Sequence, residues 1–215
     1  MQPVDYTGAA CAVVQTFNSL NNGSKEGSYW SDPATEQVRK QIKDHYIAEQ
    51  HQRCCYCRRQ IQTNNNAVWD AEHIISRDAR PQFMFEPRNL AISCKDCNIA
   101  KGEQNVMRNK NRVTFPVNSD DYVIVHPHFD EYETYILWFG PVVVAATSAS
   151  TKGSTTIKMC NLLRYSQQFG NLKGDVGDQR YRDRIGELMS SRTRQDAETI
   201  LAELTVLVAR LPDSG

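Results

Sequence analysis

CCYC at residues 54–57 and CKDC at residues 94–97 are the two stretches that decide how this chain folds. Each is a pair of cysteines with two residues between them, and residues 58–93 separate the two pairs. Two such pairs close a tetrahedral, all-thiolate zinc site in which each Zn–S bond measures about 2.3 Å. The spacing therefore predicts one structural zinc ion, bound by Cys54, Cys57, Cys94 and Cys97.

The chain has seven cysteines, so three fall outside this set. Cys55 lies one residue too close to Cys57 to serve as the partner ligand in a CxxC pair. We expect Cys11 and Cys160 to be small buried side chains. Redox chemistry is the competing interpretation of a CxxC pair, but no thioredoxin-like βαβ pattern surrounds either one. Because a closed four-thiolate zinc site has no open position, any catalysis must come from residues that the zinc holds in place.

Length and composition limit the function classes further. The 215 residues suffice for one larger domain or two small ones, and 25 Lys and Arg balance 25 Asp and Glu. Zero net charge argues against nonspecific coating of nucleic acid. Between residues 39 and 112, however, 14 basic and 8 acidic side chains leave a basic excess of 6 (14 − 8).

Cysteine usage and hydropathy also predict where the protein works. An odd number of cysteines with paired spacing fits metal binding in a reducing compartment better than a disulfide framework. No stretch reaches the roughly 20 apolar residues of a membrane helix, and the first residues lack the basic start of a signal peptide. We therefore expect a cytoplasmic protein with no membrane partner.

Hydrophobic periodicity predicts an α+β fold in three parts. Residues 1–52 form an N-terminal arm ending in a helix, SDPATEQVRKQIKDHYIAEQHQ, with apolar residues at helical spacing. Residues 53–112 form the zinc-stabilised block. Residues 113–215 contain four predicted strands, YVIVH, TYILWF, PVVVAAT and STTIKM, followed by one or two helices from about residue 178. We expect this last region to bind a partner or to regulate the block.

Charge is concentrated in the strand-like stretch WDAEHIISR, residues 69–77. Asp70, Glu72 and His73 occupy three of four consecutive positions, and an unpaired buried charge costs several kcal/mol. These side chains must therefore lie at a surface or have partners. Carboxylate and amide oxygens suit Mg²⁺ or Mn²⁺, and a histidine accepts protons near neutral pH.

The combination CCYC … AEHI … PRNLAISCKDCNIAKG resembles the HNH nuclease family, whose catalytic unit is a ββα-metal finger. The resemblance covers about a quarter of the chain, residues 54–102. It implies that Glu72 and Asn98 hold a catalytic Mg²⁺ or Mn²⁺ ion. It also implies that His73 is the general base that deprotonates water, that Asn89 orients His73, and that Lys101 lies near the phosphate.

A basic surface beside this unit is the candidate nucleic-acid contact. Each of its arginines is equally compatible with a solvated surface charge. The four candidates are Arg58, Arg59, Arg77 and Arg88.

A second resemblance lies downstream. VIVHPHFDEYETYI followed by GSTTIKMCNLLRY is similar to segments of HNH subunits in bacterial anti-phage systems, such as Septu-type subunits, also found beside retrons. The two resemblances together imply a metal-dependent endonuclease acting on DNA rather than RNA, with transfer RNA as the alternative target, and an ATPase of the defence system as protein partner. The alternative function is a zinc-stabilised module that binds nucleic acid or protein without cutting.

Overall fold

The computed structural model describes residues 1–63, 65–139, 142–146, 149–165 and 179–209 of the chain. Helices and two small two-stranded sheets make an α+β fold, as predicted. Both predicted boundaries, after residues 52 and 112, lie inside the first of two compact units. These units comprise Met1–Leu137 with Val144–Leu162, and Trp138–Val143 with Leu163–Gly215. Within the described ranges, no helix is long and apolar enough to cross a membrane.

The N-terminal region consists of helices α1, Gly8–Ser19, and α2, Glu36–Glu49, which pack against each other. A 3₁₀ turn with a proline at its start leads into α2, and Asp32 caps this turn by accepting from the Ala34 N–H at 2.8 Å. Three members of the predicted apolar stripe of α2, Val38, Ile42 and Tyr46, are fully buried. The fourth, Ile47, lies one step round the helix and is half-buried.

Strands β1, Trp69–His73, and β2, Leu90–Cys94, pair in antiparallel register with His73 opposite Leu90. Helix α3, Lys95–Lys101, follows β2 without an intervening residue and packs on both strands. Helix α2 also packs on both strands. The order strand, strand, helix is the one expected for the block that contains the cysteines.

The remaining elements are β3, Ile136–Phe139, paired with β4, Val142–Ala145, then α4, Lys152–Met159. Helices α5, Gln179–Ser190, and α6, Arg194–Ala209, pack against each other. The predicted strands TYILWF and PVVVAAT and the C-terminal helices are thereby confirmed in the described residues.

Two predicted strands are wrong. STTIKM lies in α4, where buried residues recur in pairs four positions apart, which is a helical face, and the Thr156 hydroxyl donates to the Lys152 carbonyl. YVIVH, residues 122–126, takes part in a single isolated β-bridge, between Tyr122 and Met107, and does not form a strand. Its later N–H groups bind side chains instead of a neighbouring strand: Val125 donates to the Thr156 hydroxyl at 2.8 Å and His126 to Asp130 at 2.7 Å.

Candidate metal centre and active-site cleft

The four predicted cysteines form one buried cluster. Their sulfur atoms all lie within 4.8 Å of one another, and the Cys57 and Cys94 sulfurs are 3.9 Å apart. Four Zn–S bonds of about 2.3 Å in a tetrahedron place sulfurs about 3.8 Å apart. The cluster therefore has the size and chemistry to bind a zinc ion. Cys55 is buried but lies outside it.

Local backbone geometry brings the two halves of the cluster together. Cys94 ends β2 and is the N-cap of α3, which places Cys97 in the first helical turn. The other pair lies in a tight loop in which the Arg58 N–H donates to the Cys54 carbonyl at 3.0 Å. Arg58 adopts a left-handed φ of 58°, which reverses the chain after Cys57.

Burial and the close approach of the sulfurs determine how the thiols ionise. Burial raises the pKa of Cys54, and hydrogen bonding among the sulfurs raises the pKa values of Cys57 and Cys97. The same hydrogen bonds lower the pKa of Cys94. Because zinc binds cysteines as thiolates, zinc binding to this cluster must release protons.

A cleft of about 140 Å³ brings together five of the predicted site residues. They are Glu72, His73, Arg77, Asn98 and Lys101. The cleft also contains residues that the sequence analysis did not select: Ser76, Asp78 and Glu103.

His73 is only 5% exposed, and its ring is held on two sides. Its Nε2 lies 3.1 Å from the Met84 carbonyl oxygen. Because a carbonyl oxygen only accepts, Nε2 carries the hydrogen and Nδ1 keeps a lone pair. The Trp30 ring packs against the imidazole edge to face, with centroids 4.4 Å apart. Burial, with smaller effects of Arg77 and Lys101, lowers the pKa of His73 to about 3, so the ring is neutral at pH 7.

Asn89 lies beneath this loop and is fully buried. Its Nδ2 donates to the Ile75 and Phe83 carbonyls at 3.1 and 3.0 Å, and its Oδ1 accepts from the Ile75 N–H at 2.8 Å. Phe83 precedes Met84, whose carbonyl accepts from His73. These are the contacts expected of a residue that braces the loop, while its effect on catalysis stays a prediction.

Glu72 is 1% exposed and is already hydrogen bonded within the protein. Its Oε1 accepts from the Lys101 ammonium at 2.7 Å and from the Tyr56 hydroxyl at 2.9 Å. Burial raises the pKa of Glu72, and Lys101 opposes this effect. Both protein donors therefore converge on one of the two carboxylate oxygens.

Lys101 is held by protein groups on two sides. Its side chain is 2% exposed, and its ammonium group also donates to the His73 carbonyl at 3.0 Å. A charge this deeply buried needs a partner, and Glu72 supplies it. Lys101 therefore ties α3 to the end of β1. It also lines the cleft, and its place near a phosphate stays a prediction.

Asn98 and Asp70 form the outer part of the site. The Asn98 Nδ2 donates to Asp70 Oδ2 at 3.0 Å, and Lys95 pairs with Asp70 Oδ1 at 3.1 Å. Because a carboxylate only accepts, the amide nitrogen of Asn98 must face Asp70, and its Oδ1 remains for another ligand. The cationic partners of Asp70 and Glu72 are thus two lysines of α3, Lys95 and Lys101.

The predicted arginines divide into two groups. Arg77 lines the cleft, with its guanidinium 5.9 Å from the centre of the Trp30 ring. Arg58, Arg59 and Arg88 do not line it. Arg58 is half-buried over the Tyr132 ring at 4.6 Å, whereas the other two are exposed.

Sequence reasoning missed the N-terminal wall of the site. The 3₁₀ turn Gly27–Ser31 places Trp30 on His73 and Gly27 directly against Asp78. The stretch has no periodicity, and its aromatic pair, Tyr29 and Trp30, is the single sequence signal that was available. Tyr56 was also missed, because it lies between two metal-ligand candidates and looks like a spacer.

The chain matches no protein-family model and no curated protein. The chemistry of the site must therefore be inferred from its side chains. A neutral imidazole with a free lone pair, a carboxylate and an amide oxygen share one small cleft. That combination can accept a proton and can bind a hard cation.

Proposed function

We propose that this protein is a metal-dependent endonuclease of the HNH type, which hydrolyses phosphodiester bonds in nucleic acid, and DNA in preference to RNA. One observation carries the proposal: His73, whose Nε2 is bonded to the Met84 carbonyl, lines the same cleft as Glu72 and Asn98. A general base must be unprotonated at the pH of the reaction and within reach of the proton that it removes. The lowered pKa of His73 meets the first condition.

His73 would accept the proton of the attacking water through Nδ1. The hydrogen bond from Nε2 to the Met84 carbonyl fixes the tautomer, and Trp30 restricts rotation of the ring. Asn89 holds the loop that supplies this carbonyl. A misplacement of about 1 Å in such a group costs about a hundredfold in rate, so this support contributes to catalysis.

Glu72 and Asn98 are suited to hold a Mg²⁺ or Mn²⁺ ion. Both offer oxygen, the donor that these hard ions prefer, and Asp70 orients the Asn98 amide with its oxygen free. Among the described residues, the cysteine cluster is the only group of three or more metal-binding side chains. The divalent ion would therefore keep several waters and bind the substrate phosphate directly. When bound, it stabilises charge on the phosphoryl group and the leaving oxygen.

The cysteine cluster would hold a structural zinc ion. All four ligands are cysteines, so the ion has no open position and takes no part in hydrolysis. Its role is to fix β2, α3 and the CCYC loop relative to one another.

The wider assignment, a nuclease effector of a bacterial anti-phage system with an ATPase partner, rests on the resemblance of the downstream segments. The region after residue 113 is also joined to the block around the site. Tyr132 donates to the Tyr56 carbonyl at 2.8 Å, and the His128 ring lies 2.8 Å from the Leu90 carbonyl. A partner bound to this region would act on the site through these contacts.

A binding module without cleavage is the second candidate. The buried pair of Glu72 and Lys101 favours it, because that carboxylate already has a counter-ion without any metal. The two candidates differ in what His73 does. A module that only binds gives the imidazole no chemical role.

Cleavage assays separate the two candidates. Purified full-length protein is incubated with plasmid, single-stranded DNA and transfer RNA, with and without Mg²⁺ or Mn²⁺. We expect metal-dependent cleavage that falls by about 10² to 10⁴ in His73→Ala, the usual contribution of a positioned general base. Zinc content and nucleic-acid affinity of the variant should be unchanged. Equal cleavage by the variant, or no cleavage under any condition, contradicts the nuclease assignment.

A further inference from the structure

Tyr56 connects the cysteine cluster to the candidate catalytic carboxylate. It lies in the CCYC loop between Cys54 and Cys57, two of the cluster ligands, and is fully buried. Its hydroxyl donates to Glu72 Oε1 at 2.9 Å. Lys101 donates to the same oxygen at 2.7 Å from the opposite element, α3.

We propose that Tyr56 is a positioning residue for the divalent ion: it fixes the Glu72 carboxylate so that Oε2 is the oxygen presented to the metal. The inference rests on the proposed function, because it assigns Tyr56 a role in a metal site that the nuclease reaction requires. It adds a residue to that site and gives the cysteine cluster a second task, to hold the phenol in place.

Geometry explains why two donors on one oxygen matter. The terminal torsion of a glutamate is soft, so a carboxylate held by a single donor rotates through a broad range. A second donor at a fixed angle removes that freedom. Ligands held in advance bind a metal more tightly than ligands that must be ordered on binding.

The phenol itself has little freedom to move. Its loop is held at both ends by cluster cysteines, and the neighbouring Cys55 N–H donates to the Ile92 carbonyl in β2 at 3.0 Å. The cysteine cluster and β2 thus hold the loop before the phenol reaches Glu72.

The simpler explanation is that a buried tyrosine needs a hydrogen-bond partner and Glu72 provides one. Tyr132 offers a matched control. It is also a buried phenol, but its hydroxyl donates to the Tyr56 carbonyl and not to Glu72. Tyr132→Phe therefore removes a buried hydrogen bond of similar length without altering the carboxylate.

The test measures Mn²⁺ binding to the zinc-loaded, full-length protein by electron paramagnetic resonance of the free ion. No nucleic acid is present, so the result does not depend on cleavage. We expect Glu72→Gln to abolish binding, Tyr56→Phe to weaken it about tenfold, the effect of one hydrogen bond to a charged group, and Tyr132→Phe to leave it unchanged. Zinc content is measured in each variant.

Glu72→Asp is the second test, used together with Tyr56→Phe in case the latter loses zinc. It keeps the carboxylate but withdraws it from the phenol by one methylene group, and a loss of about tenfold is again expected. If Tyr56→Phe keeps its zinc and binds Mn²⁺ as tightly as wild type, the inference is wrong and the nuclease assignment stands. If Tyr56→Phe loses its zinc, wild-type affinity in Glu72→Asp has the same meaning. If wild-type protein binds no Mn²⁺, or Glu72→Gln binds it equally, the proposed metal site and the inference fail together.

Discussion

Two buried lysine–carboxylate pairs lie in the same compact unit, and they differ in how their carboxylates are bonded. In the pair of Lys152 and Asp130, both carboxylate oxygens have donors: the Ser119 hydroxyl binds Oδ1, and Lys152 and the His126 N–H bind Oδ2. In the pair of Lys101 and Glu72, the donors converge on Oε1.

The difference indicates two uses of a buried charge. Removing charges from water costs several kcal/mol per ion, and a fully bonded pair such as Asp130 with Lys152 is one solution to that cost. A pair whose second oxygen has no donor among the described residues, and which lines a cleft, leaves one ligand position open. We therefore assign the Asp130 pair to structure and the Glu72 pair to function.

The largest expected effect comes from the cysteine cluster. Cys94→Ser removes a zinc ligand, and structural zinc contributes on the order of 10 kcal/mol of apparent folding energy. We expect the surroundings of both pairs to unfold together, because Tyr132 and His128 bond to the backbone of the block. Hydrogen exchange measures this directly. If amides around Asp130 stay protected while those around Glu72 exchange, the two regions do not unfold together and this prediction is wrong.

Replacing each lysine by methionine sharpens the comparison. Either change leaves a buried carboxylate unpaired and should cost about 3–5 kcal/mol of unfolding free energy, measured by urea denaturation. The two variants should respond differently to Mn²⁺. Loss of the competing Lys101 ammonium group should tighten Mn²⁺ binding at Glu72. At the same Mn²⁺ concentration, Lys101→Met should therefore be stabilised more than wild type, by about 1.4 kcal/mol for each tenfold gain in affinity.

Lys152→Met is the control in that experiment. Its unpaired carboxylate is enclosed by Ser119 and His126, so Mn²⁺ should give no rescue beyond that seen in wild type. Equal rescue of both variants contradicts the assignment of separate roles.

Acid pH acts on both pairs through their neighbouring histidines. Burial lowers the pKa of His73 to about 3 and that of His126 well below its usual value. A histidine with a depressed folded pKa is neutral in the fold and protonates first in the unfolded chain. Stability is therefore complete above pH 6.5 and falls as the pH drops from 6.5 towards 3, by up to about 1.4 kcal/mol per unit for each histidine.

Urea denaturation at pH 7.5 and pH 5.0 measures this change in unfolding free energy. Both pH values lie above the range in which most carboxylates titrate. His73→Gln should lose less stability than wild type between the two pH values. The cleavage rate of wild type should not fall with His73 protonation in this interval, because the folded pKa lies below it. A rate that drops tenfold per unit below pH 6.5 indicates an exposed, ordinary histidine instead.

The smallest expected effect concerns Arg77. It lines the cleft beside Glu72, whereas Arg88 is exposed elsewhere. We expect Arg77→Ala to reduce the slope of log affinity for nucleic acid against log salt by about one, as one phosphate contact is lost. Arg88→Ala serves as the control of equal charge. A reduction in both variants indicates that the basic contact surface extends beyond the cleft.

Sequence reasoning succeeded where the determining contacts are local or have fixed chemistry. Cysteine spacing identified the cluster, and the 3.6-residue period identified the buried stripe of α2. Glu72, His73 and Asn98 were correctly expected to lie close together, since all three line one cleft. Their catalytic roles stay predictions.

Sequence reasoning failed where a distant partner decides the outcome. β-branched residues favour a strand in STTIKM, but burial on one face made it α4. No sequence pattern shows that the lysine in CNIAKG forms an ion pair with Glu72. Trp30 lies 43 positions before His73 (73 − 30), and no local signal connects them.

The contact between Gly27 and Asp78 limits how far the protein can be shortened or redesigned. A Cβ atom at position 27 would lie 2.0 Å from Asp78 Oδ1 and 3.0 Å from its Cα, so any other residue would have to displace the Asp78 side chain. A minimal fragment containing residues 53–112 would lack this segment and the indole beside His73. Efforts to transplant the site into another scaffold must therefore carry the first 35 residues with it.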